Sequence, residues 1–106
     1  MKNKTIICGP QGSGKNFLSS IICDSGKFKK VLTVDASSNE SLNNILQEIV
    51  EGLEVDLVVF DQCIDISIIK DIDRIIFFKN ITNRIFITQD TGFIIPEGFG
   101  VIEFKL

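Results

Sequence analysis

The segment GPQGSGKN, residues 9–16, constrains the fold of this chain more than any other stretch. Its spacing is Gly-x-x-x-x-Gly-Lys, and it follows the β-branched run Thr5-Ile6-Ile7-Cys8. Beyond it, Phe17, Leu18, Ile21 and Ile22 recur at helical spacing, predicting a helix over residues 15–23. A strand therefore feeds a helix through a glycine-rich loop. Gly9, Gly12 and Gly14 permit backbone conformations that side-chain-bearing residues resist. The amides of residues 11–16 can then turn inward around an anion such as phosphate. The helix N-terminus adds a partial positive charge, and Lys15 adds a full one.

The remaining chain continues the alternation. Val31-Leu32-Thr33-Val34 reads as a second strand closed by Asp35, and Ser37-x-x-Glu40 offers a capping box. Leu42, Ile45, Leu46, Ile49 and Val50 form the apolar stripe of a helix that Gly52 stops. Residues 55–60 make a third strand, apolar apart from Asp56 and closed by Asp61, as expected where both faces of a parallel sheet are buried. Ile68, Ile69, Ile72, Ile75 and Ile76 predict a third helix over residues 67–78, although so many isoleucines also suit a strand. Residues 84–88 form a fourth strand ending in Gln89-Asp90, and residues 101–106 a fifth. The link between them is rich in Gly and Pro and short for a crossover helix, which leaves antiparallel pairing open for the last strand. The expected architecture is α/β: an open, mostly parallel five-stranded sheet with helices on both faces.

A chain of 106 residues with 44% apolar content suits a single domain over residues 1–106. The net charge of −3 gives no support to nucleic-acid binding; the one basic run, Lys27-Phe28-Lys29-Lys30, reads first as a solvated loop. Cys8, Cys23 and Cys63 are an odd number without metal-ligand spacing and read as reduced thiols, Cys8 and Cys23 as buried small hydrophobes. With no histidine present, histidine-dependent triads are excluded and zinc is disfavoured. The first apolar run is too short for a secretory leader, and no run approaches the roughly 20 residues of a membrane span. A cytoplasmic location is the expectation, with no membrane partner.

A second feature joins the first: the apolar strand Leu57-Val58-Val59-Phe60 runs into Asp61-Gln62. With the glycine loop upstream, this is where a carboxylate that holds Mg²⁺ is placed. The chain resembles a P-loop NTPase of the AAA+ or superfamily 3 helicase type, in the class with an extra strand between the two motif strands. GPQGSGKN resembles Walker A, LVVFDQ resembles Walker B, and RIFITQD lies where that family has its sensor strand. The resemblance implies a nucleotide held by Gly9, Gln11, Gly12, Ser13, Gly14, Lys15 and Asn16, with Lys15 on the outer phosphates. It places Asn16 and Asp61 at the Mg²⁺ positions. Gln62 falls where the water-activating glutamate belongs, and Thr88, Gln89 or Asp90, with Gln89 preferred, falls at the sensor. ATP is the expected nucleotide, since no guanine-reading Asn-Lys-x-Asp motif occurs.

Two residues depart from the family pattern at chemically decisive places. Asn16 replaces a hydroxyl that ligates the metal, and its longer amide must approach from another angle. Gln62 cannot take a proton as glutamate does; it can only orient water, and general-base catalysis is worth roughly 10²–10⁴-fold. Set beside that family, the chain is expected to be a minimal core without its lid domain, and only Arg74 and Arg84 are available as arginines. The expected function is nucleotide binding with slow or partner-dependent hydrolysis. The alternative is a degenerate, non-hydrolysing module with a structural or regulatory role. A small kinase is disfavoured because no acceptor site or arginine cluster is evident. Exposed isoleucines leave a homo-oligomer or a larger protein partner open.

Overall fold

A computed structural model describes residues 3–75, 81 and 83–105 of the chain. Five strands and three helices follow in the order β1 (Asn3–Cys8), α1 (Lys15–Cys23), β2 (Val31–Asp35), α2 (Asn39–Val50), β3 (Leu57–Cys63), α3 (Ile66–Asp73), β4 (Asn83–Thr88) and β5 (Phe99–Glu103). The strands form one open sheet in the order β2-β3-β4-β1-β5, and every neighbouring pair is parallel. Strand β4 thus lies between β1, which feeds the glycine loop, and β3, which carries Asp61.

Side-chain alternation divides the core between two faces. Ile6, Val58, Phe60 and Phe86 are buried on one face, under the apolar stripes of α2 and α3. Ile7, Leu57, Val59, Ile85 and Ile87 are buried on the other, under Leu18 and Ile22 of α1. Phe60 and Phe86 are partners in register, and their rings stack with centroids 4.9 Å apart. Helices therefore cover both faces, and the carboxyl ends of β1, β3 and β4 open side by side at one rim.

The structure decides the direction of β5 and departs from the sequence expectation at the cap of α2, at both ends of β3 and at the end of α3, each for a local reason. Strand β5 runs parallel to β1, because it sits beyond β1 rather than beside β4. Residues 89–98 span the return without a helix, since extended chain covers roughly 3.3 Å per residue. Helix α2 is capped by Ser38, whose hydroxyl accepts from the Ser41 amide at 3.1 Å. Ser37, the expected cap, instead donates its hydroxyl and amide to Asp35. Strand β3 starts later than expected, and Asp56 stays outside it to accept from the amides of Lys29 and Lys30 at 2.7 and 3.2 Å. At its other end β3 passes through Asp61 to Cys63. Helix α3 stops at Asp73 as the chain tightens, with the Ile75 amide bonding the Ile72 carbonyl at 3.1 Å. The expected continuation of α3 over residues 76–78 lies outside the described residues, as does Leu106 at the end of the expected fifth strand.

At the amino ends of the strands, a charged group closes the sheet. Asp73 accepts from Arg84 at 2.6 Å and from Lys4 at 3.1 Å, and the Lys4 ammonium also lies 4.3 Å from the centroid of the Phe99 ring. Arg84 is only 3% exposed, and its Nε has no partner among the described residues. Burial lowers the Arg84 pKa, while the Asp73 carboxylate opposes that shift. Arg84 is thus a structural cation at the end of the sheet remote from the glycine loop. Arg74 makes a weak, exposed contact with Asp71 at 3.5 Å.

Candidate functional site

The glycine loop takes its shape from three left-handed backbones: Gly9 at φ 151°, Gly12 at φ 79° and Gly14 at φ 101°. Gly9 is constrained twice. A Cβ there would lie 2.6 Å from the Phe104 carbonyl oxygen and 3.0 Å from Ser13 Oγ. The Phe104 backbone is fixed in turn, because its amide donates to the Cys8 carbonyl at 2.8 Å. Gly9→Ala should therefore destabilise the fold by about 2–3 kcal/mol, from backbone strain plus a clash that cannot relax through a side chain. Gly12→Ala, with no atom within 4 Å of the added Cβ, should lose only the strain component. Denaturant midpoints of the two variants measure the difference.

Helix α1 opens from this loop without a side-chain cap: Gly14 is its N-cap residue. Helices α2 and α3, by contrast, are capped by Ser38 and Asp65. The first helical bond of α1 is Leu18 amide to Gly14 carbonyl at 3.1 Å, so the amides of Lys15, Asn16 and Phe17 precede it. They leave a cluster of donors at the positive end of the helix. Lys15 is 8% exposed, and its ammonium reaches back to donate to the Pro10 carbonyl at 2.9 Å. The same carbonyl accepts the Ser13 amide at 3.2 Å.

The loop borders a cleft of about 700 Å³. Gln11, Gly12, Gly14, Lys15 and Asn16 line it from the loop side. Asp61 and Gln62 line it from β3, and Thr88 and Gln89 from the end of β4. Ser13 and Gly9 do not line it. The Ser13 hydroxyl lies close to Gly9, buried and without a partner among the described residues. Residues far apart in sequence thus meet at the carboxyl ends of parallel strands, the usual place for ligands in open α/β sheets.

Asp61 and Gln62 sit on a β-bulge. Phe60 pairs with Phe86 and Cys63 with Thr88, so β3 carries one extra residue between those pairs. Gln62 absorbs it with a left-handed backbone at φ 59°, the one non-glycine residue of this kind among those described. Its amide donates to Asp61 Oδ1 at 2.8 Å, and its side chain is exposed. Such a bend re-aims side chains at a site, at a cost of roughly 1–3 kcal/mol for the strained residue.

At the end of β4, the three sensor candidates separate. Thr88 is buried, and its hydroxyl accepts from the Asp90 amide at 3.1 Å. Asp90 accepts from the Ile66 amide at 3.1 Å and so caps α3 together with Asp65. Only Gln89 is both exposed and part of the cleft wall. Cys63 also borders the cleft, but burial pushes its thiol up to about 12, which removes it as a nucleophile. Among the described residues, no group of three His, Cys, Asp or Glu side chains is placed to hold a metal ion.

Sequence reasoning missed four contributors. Ser37 lines the cleft from the β2–α2 connection, and its hydroxyl and amide hold the Asp35 pKa below the usual carboxylate range. The rule that ligands lie beyond strand carboxyl ends would have found it. Phe17 and Ile64 also border the cleft as exposed apolar side chains. Phe104 supports the loop from beneath, which becomes visible only once β5 is known to lie beside β1.

A second cavity of about 500 Å³ lies at the opposite ends of the strands, lined by residues that include Thr5, Phe28, Asn83, Ile85 and Gly98. None of the residues singled out as ligand-binding or catalytic borders it. No helix among the described residues is long and apolar enough to cross a membrane. Comparison with known proteins gives no matching family model, no matching curated protein and no matching solved structure.

Proposed function

We propose that this chain is a P-loop nucleotide-binding protein that takes a purine nucleotide, preferentially ATP, with its phosphates in the loop of residues 9–16. The observation that carries this is the convergence of Lys15, the uncapped start of α1, Asp61, Gln62 and Gln89 on one cleft. The order β3-β4-β1, with one strand between the two motif strands, supports it as well. Lys15 exchanges the neutral Pro10 carbonyl for phosphate oxygens, and the amides that open α1 donate to the same group.

Mg²⁺ fits this cleft only as an ion that the nucleotide brings with it, because the described side chains form no metal cage of their own. Asn16 and Asp61 would hold it on the protein side; when bound, it neutralises part of the phosphate charge. Gln62 orients a water without removing its proton, so hydrolysis is slow or depends on a partner. The chemistry of Asn16 and Gln62 equally favours a second reading, a module that binds nucleotide and does not hydrolyse it.

Thermal denaturation tests binding directly. Nucleotide at 100 times its Kd adds about 2.7 kcal/mol, which in a chain of this size raises Tm by roughly 10 °C or more. No shift in millimolar ATP, with or without Mg²⁺, would overturn the proposal. If binding is found, phosphate release over hours separates slow turnover from none.

A further inference from the structure

We infer that the Phe17 ring is the stacking platform for the nucleotide base, so that the site selects a nucleoside polyphosphate over a bare polyphosphate; this rests on the nucleotide reading above. Phe17 is 74% exposed, although it belongs to the first turn of α1 and follows Lys15 by two residues. An aromatic ring in that position is not needed by the core: α1 packs on the sheet through Leu18, Ile22 and Cys23. Phe17 lines the same cleft as Lys15, and Ile64, 69% exposed, provides a second apolar surface on the wall that follows β3. Two large apolar side chains thus stand in water beside a set of phosphate donors. That combination matches an amphiphilic ligand, anionic at one end and flat and apolar at the other.

The polar side chains of the cleft point the same way. Gln11, Asn16, Gln62 and Gln89 each carry an amide that can donate or accept, so they impose no fixed hydrogen-bond pattern on a base edge. Discrimination of a base-bearing ligand from bare polyphosphate then falls to the π-face of the base, which stacks on an aromatic side chain. Ile21 is also exposed, one turn further along α1, but it does not border the cleft. It therefore serves as a control that shares the helix surface without sharing the site.

Calorimetric titration of the full chain with ATP and with inorganic tripolyphosphate tests the inference. The wild type should bind ATP roughly 10-fold or more tightly than tripolyphosphate. Phe17→Ala should reduce ATP affinity to the tripolyphosphate level and leave tripolyphosphate binding unchanged. Ile21→Ala should alter neither. Since the chain contains no tryptophan, Phe17→Trp introduces a sole reporter that should retain ATP binding and be quenched by ATP but not by tripolyphosphate. Equal affinities for the two ligands in the wild type, or wild-type ATP affinity in Phe17→Ala, would overturn the platform while leaving the phosphate loop intact. Failure of both ligands to bind would overturn the loop and the platform together.

Discussion

Asp73→Ala is expected to lose about 3 kcal/mol of stability, although Asp73 lies at the end of the sheet remote from the cleft. Its carboxylate is shared by Arg84 at 2.6 Å and Lys4 at 3.1 Å. Removing it leaves Arg84 charged, 3% exposed and without an anionic partner, and breaking a buried pair from one side typically costs about 3–5 kcal/mol. The lower end applies here, because Asp73 keeps 18% of its side chain in contact with water. Arg84→Met reverses the logic. It removes the buried charge and the unpaired Nε together, and leaves Asp73 with Lys4. That variant should stay within about 1.5 kcal/mol of the wild type. Urea denaturation of both variants gives the contrast, and equal losses would show that packing, not charge, holds this end of the sheet.

Lys15→Ala is expected to weaken nucleotide binding roughly 10- to 150-fold, the loss of one strong hydrogen bond to a charged group. The fold should tolerate the change. In the structure, the Lys15 ammonium contacts a neutral carbonyl, and the Pro10 oxygen retains the Ser13 amide when the lysine is gone. Stability should therefore change by about 1 kcal/mol or less. Lys15→Met keeps the buried aliphatic stem and should bind nucleotide as poorly as Lys15→Ala. Titration calorimetry paired with a denaturation curve for each variant separates the two effects. Loss of binding together with large destabilisation would mean that Lys15 holds the loop together rather than holding a ligand.

Much of this architecture was legible in the sequence, and the reason is physical. The glycine loop, a β-branched run before it and helical spacing after it are all local features, and α1 spans Lys15–Cys23 as they predict. Strand-forming runs with both faces apolar read correctly as members of a buried parallel sheet. The direction of β5 was less legible, because it depends on which strand it joins, and no local residue encodes that. The bulge at Asp61-Gln62 was hidden for a different reason. Hydropathy records which faces are apolar, and a single left-handed glutamine leaves no trace in it. At α2, two adjacent serines each offered a hydroxyl, and the competing carboxylate of Asp35 decided which became the cap. For the cleft, spacing pointed to Lys15, Asn16, Asp61, Gln62 and Gln89 on its wall but equally to Gly9 and Ser13, which do not line it, whereas Ser37 and Phe104 come near these residues only through the packing of separate elements.

On the proposed function, the loop of residues 9–16 is where an anionic ligand docks. Amide-resolved NMR of the ¹⁵N-labelled chain during titration with ATP tests it most directly, because it reports location as well as affinity. The amides of Gly12, Gly14, Lys15 and Asn16 should shift first and furthest, followed by Gln62 and Gln89, while Asn83, Gly98 and Gly100 beside the second cavity stay in place. Unmoved loop amides in millimolar ATP, or shifts confined to the second cavity, would rule out docking in the loop.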